Sequence, residues 1–74
     1  MATENIMYDA LLSHFVAQQK KAIATIGVYF KNPVGIGEHP QLIDEMINQT
    51  KLLAEAVDCI EVLRNTFETE QSDE

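Results

Sequence analysis

The stretch Lys31-Asn32-Pro33-Val34-Gly35-Ile36-Gly37-Glu38-His39-Pro40 divides the chain into two long segments of helical periodicity. Proline disfavours the α conformation in the residue before it and has no N–H to give the helix ladder, so Asn32-Pro33 ends whatever helix precedes it. The two glycines that follow permit positive φ, which lets the chain reverse. Pro40 is suited to the first turn of a new helix. Read from this break outward, the sequence predicts an all-α, two-helix antiparallel hairpin, with helices over about 4–31 and 40–67.

Upstream, Thr3 or Asn5 is the expected N-cap, and Glu4 and Asp9 suit the positive helix end. Lys31 suits the negative end. At 100° per residue, Tyr8, Leu11, Leu12, Phe15, Val16, Ala22, Ile23, Ile26, Tyr29 and Phe30 share an arc of roughly 140°. Ser13, His14, Lys20, Lys21 and Thr25 lie opposite. Downstream, Asp44 and Glu45 occupy early turns. Leu42, Ile43, Met46, Leu52, Leu53, Ala54, Ala56, Val57, Cys59, Ile60, Leu63 and Phe67 spread over roughly 200°. Asp44, Asn48, Lys51, Glu55, Asp58 and Asn65 form a narrow polar strip.

One helix cannot cover half the circumference of another. The second helix also carries two overlapping seams of alternating four and three spacing. One runs through Leu42, Met46, Gln49, Leu53, Ala56, Ile60, Leu63 and Phe67; the other through Ile43, Met46, Thr50, Leu53, Val57, Ile60, Arg64 and Phe67. Two seams imply two packing surfaces, and the expected partner is a second copy, two hairpins making a four-helix bundle. The expected core and oligomer interface comprises Leu12, Phe15, Ile26, Phe30, Leu42, Met46, Leu53, Val57, Ile60, Leu63 and Phe67. Residues 1–67 read as one domain and 68–74 as an acidic flexible tail.

Charge and composition narrow the function classes. The chain has 74 residues, a net charge of −7 and 46% apolar residues, so it is a single domain of ordinary hydrophobicity. Residues 1–37 hold two acids and three lysines; residues 38–74 hold ten acids against Lys51 and Arg64. An acidic half does not suit a nucleic-acid backbone. No apolar run is long enough for a membrane span, and the N-terminal residues show no signal peptide, so a cytoplasmic location is expected. The single cysteine, Cys59, makes no internal disulfide and reads as a small core residue.

No constellation of catalytic residues appears, and no cofactor or metal is expected. The glycine turn lacks the Lys-Ser/Thr of a P-loop and the third glycine of a dinucleotide site. Glu55, Asp58 and Glu61 do not converge on one helix face, and His14 stands alone on a polar one. Gln19 falls within the apolar arc, either as a buried polar layer or as an edge residue. Thr50 and Arg64 interrupt the second helix in the same way. Ala10, Ala17 and Ala24, followed by Val28, form a small-residue line on the back of the first helix.

The segment Tyr29–Pro40, and within it Asn-Pro-Val-Gly-Ile-Gly-Glu-His-Pro, resembles a stretch found in small uncharacterised proteins of tailed bacteriophages, including those of marine cyanobacteria. The resemblance covers about a sixth of the chain strictly. It implies a phage-like source and carries no functional residue. The reading is therefore a non-enzymatic interaction or assembly protein acting as a homo-oligomer, without nucleic acid or membrane. Two alternatives stand beside it. One is a small acidic regulator that engages a basic surface of a host or phage protein. The other, the least favoured, is a metal-dependent nucleotide hydrolase using Glu55 and Asp58.

Overall fold

The computed structural model describes residues 5–32 and 41–68. It contains two helices: α1, Ile6–Lys31, and α2, Gln41–Leu63, which continues into a π-helical turn, Arg64–Glu68. Contacts between Tyr8 and Phe67 at one end, and between Gln18 and Glu55 further along, show that the helices run antiparallel. The all-α hairpin expected from the sequence is the observed fold. The connecting residues 33–40, which carry the glycine turn, lie outside the described residues, as do Thr3 and Glu4.

Helix α1 begins and ends where its residue types dictate. The Asn5 side chain accepts a hydrogen bond from the Tyr8 backbone N–H at 3.1 Å and satisfies one of the helix's unpaired donors. At the other end the Asn32 N–H donates to the Val28 carbonyl at 2.9 Å, and Lys31 lies in the last turn. Thr25 and Thr50 sit inside helices without breaking them. Each hydroxyl donates to the carbonyl four residues back, on Lys21 and Met46, both at 2.8 Å.

The end of α2 differs from the expected continuous α-helix to Phe67. The last five described residues take π geometry. A π turn is wound more loosely than an α turn. The change of winding accompanies contacts of Phe67 and Glu68 with α1. The Phe67 ring meets Tyr8 edge-on at 6.2 Å, and the Tyr8 hydroxyl donates to the Glu68 carboxylate. Glu68, read from the sequence as the start of the tail, is thus tied to α1; residues 69–74 lie outside the described residues.

The interior is thin. Among the described residues only Ala22 and Ala56 are buried, at 1% and 0% exposure, and no large side chain is fully enclosed. Alanine at these points removes the bulk that would hold the two backbones apart. The larger apolar residues pack around that line and remain partly open to solvent. The radius of gyration is 16.6 Å, against about 11 Å for a compact domain of this length. The molecule is a rod two helices thick.

Candidate functional site

A hairpin has two broad sides, and here they differ in chemistry. Side chains wind in opposite senses along two antiparallel helices seen from one end. Positions turned equally away from the contact line therefore fall on the same side of the pair. Gln18 identifies one side. Its amide donates to the Leu52 carbonyl at 2.9 Å and to the Glu55 carboxylate at 3.0 Å, bridging α1 to the backbone of α2. A shallow groove follows this side, lined by His14, Ala17, Gln18, Lys21, Ala22, Gln49 and Leu52. Exposed Leu11 and Leu52 are isolated there among polar groups.

The opposite side is apolar along most of its length. Helix α1 contributes Val16, Ile23 and Phe30, and α2 contributes Ile43, Ile47 and Val57. Phe30 is 71% exposed, Ile23 52%, Ile43 51%, Ile47 48% and Val57 38%. Leu12, Leu53 and Met46 lie between these residues and the contact line and are half-buried. Scattered single apolar residues are ordinary on a protein surface; here they follow one another along one side of the pair.

The residues expected to form the core and interface divide accordingly. Leu12, Phe15, Ile26, Leu42, Met46, Leu53, Ile60 and Leu63 are half-buried along or beside the helix contact. Phe30, Val57 and Phe67 are exposed in the single chain. Gln19 is half-buried, while Thr50 and Arg64 are exposed. Ala10, Ala17, Ala24 and Val28 are all exposed, so no helix of the same chain uses that line. The sequence reading missed Gln18, the residue that ties the helices across their polar side. Its signal is slight: it borders the apolar arc one turn before Ala22. Ile47 was likewise overlooked, although it follows Ile43 by one turn.

The chemistry-bearing residues remain apart. Asp58 and Glu61 are exposed, and Glu55 is engaged by Gln18. Among the described residues no three His, Cys, Asp or Glu side chains are placed to hold a metal ion. His14 is exposed with its ring edge-on to Phe15 at 4.8 Å, and Cys59 is half-buried as a free thiol. Partial desolvation beside α2, together with the hydrogen bond and negative charge of Glu68, pushes the Tyr8 phenol up to about 12. That tyrosine is held as a neutral donor and joins the helix ends. No described helix is long and apolar enough to cross a membrane. No known protein family, curated protein or solved structure matches this chain.

Proposed function

We propose that this protein is a non-enzymatic interaction and assembly protein whose working form is a pair of hairpins packed as a four-helix bundle. The observation that carries the reading is the apolar side formed by Ile23, Phe30, Ile43, Ile47 and Val57, which the chain's own helices leave uncovered. Completing the burial of five such half-exposed side chains is worth roughly 5 kcal/mol per chain, or roughly 10 per pair. That is of the same order as the cost of immobilising one molecule on another, so the half-buried neighbours tip the balance toward association.

A phage-like source, suggested by the Asn32–Pro40 segment, belongs to the same proposal, and so does a cytoplasmic site of action.

Light scattering across nanomolar to hundred-micromolar concentrations tests the proposal. The expected outcome is a concentration-dependent rise to twice the 8.3 kDa of one chain. A monomer at every concentration would refute it.

A further inference from the structure

The exposed side of the hairpin has a repeat that the single chain does not use. On α2, Ile43, Ile47, Thr50, Ala54, Val57, Glu61 and Arg64 alternate by four and three. On α1, Asp9, Ser13, Val16, Lys20, Ile23, Gly27 and Phe30 do the same. Both are coiled-coil seams, and both turn away from the contact line of the pair. Within the chain, the Gln18–Glu55 contact sets which levels of the two helices coincide.

We infer that a second copy of this chain seats on that side with its α1 lying over α2, related by a two-fold axis parallel to the helices. The inference rests on the proposal that the protein self-associates, and it specifies the face and the arrangement. A rotation about such an axis leaves every level unchanged, so each layer across the interface is dictated by the hairpin's own register. Phe30 then meets Ile43 of the second copy, Ile23 meets Thr50, Val16 meets Val57, and Asp9 meets Arg64. In these four layers apolar residues face apolar or small ones and the terminal layer pairs opposite charges, while between them Lys20 comes level with Ala54 and Ser13 with Glu61.

Gly27 supplies an independent observation. Glycine inside a helix is destabilising relative to alanine. A Cβ added at Gly27 would meet nothing within 4 Å, so no close approach within the chain requires a glycine there. In the inferred arrangement Gly27 lies level with Ile47 of the second copy, a bulky residue that needs room. The backbone is bare where the partner comes near.

Charge selects between the two ways of stacking these faces. Helix α1 carries Asp9 against Lys20, Lys21 and Lys31, a balance of +2. Helix α2 with its π turn carries Asp44, Glu45, Glu55, Asp58, Glu61 and Glu68 against Lys51 and Arg64, a balance of −4. Placing α1 over α2 gives every helix two neighbours of opposite sign. A two-fold axis across the helices would instead lay α2 on α2. With the hairpins fully overlapped it would also set Ile43 and Ile47 against Arg64 and Glu61. Sliding the hairpins to avoid this leaves the like-charged helices side by side.

Disulfide trapping tests the arrangement. In a Cys59→Ser background, chains carrying Lys20→Cys are mixed with chains carrying Ala54→Cys and mildly oxidised. These two positions share a level across the inferred interface, whereas within one chain they lie on opposite outer edges. The expected product is a covalent heterodimer, with Lys20→Cys alone and Ala54→Cys alone staying uncrosslinked under the same conditions. Helical circular dichroism confirms that each variant is folded. Efficient self-crosslinking of either single variant would indicate the alternative axis and overturn the inference. So would a mixture that scatters light as a dimer yet gives no heterodimer. In both cases the proposal of self-association would stand. A wild-type monomer by light scattering removes both.

Discussion

Replacing Ala56 with leucine examines the narrowest point of the fold. Ala56 is 0% exposed, and with Ala22 it allows the two helices their close approach. Ala56→Leu adds three carbon atoms where no space is available. Leucine is nearly as good a helix former as alanine, so the loss is tertiary and not local. Overpacking of this kind costs about 1–3 kcal/mol. In a domain of this size each kcal/mol moves the melting temperature by roughly 4–8 °C. The expected fall is therefore about 5–20 °C, read by circular dichroism at 222 nm at one fixed protein concentration. The control is Ala24→Leu, the same chemical change at an exposed site on the back of α1, with an expected effect within about 0.5 kcal/mol. If Ala56→Leu melts like wild type, or no lower than Ala24→Leu, the alanine contact is not what sets the helix spacing.

Three further outcomes are expected. Leu53→Asp places a charge on the half-buried line between the contact and the exposed apolar side. It should unfold the protein or abolish self-association, and a melting curve with sedimentation reads both. Tyr8 ties the helix ends with a pKa of about 12, above the ordinary value of 10.0, so the folded state holds its phenol proton more tightly than the unfolded state does. Its contribution is fully present below pH 10 and is lost as pH rises toward 12, so stability should decline across that window. Tyr8→Phe should remove that dependence, and an undiminished slope in the variant would count against the assignment. Finally, Gly27→Ala should stabilise the monomeric hairpin at high dilution by about 0.5–1 kcal/mol while weakening self-association. Stabilisation of the dimer by the same amount would show that Gly27 faces no partner.

The sequence alone determined the helices, because their signals are local. Asn5 caps α1, Asn32 closes it, and the apolar arcs contain the residues that line the helix contact. Local bonding and the 3.6-residue period suffice for such conclusions, and the observed bounds of α1 follow them closely. The half-circumference apolar face of α2 is the ground on which a second neighbour is proposed. Tertiary structure decided what depends on how the two rods are set against each other. Only the paired helices show that the innermost residues are two alanines, that Gln18 reaches across to α2, and that the last turn takes π geometry where Phe67 and Glu68 meet Tyr8. The division into a polar and an apolar side is also tertiary. A helical wheel gives each helix its stripe, but which edges of two stripes share one surface depends on the direction and register of the second helix relative to the first.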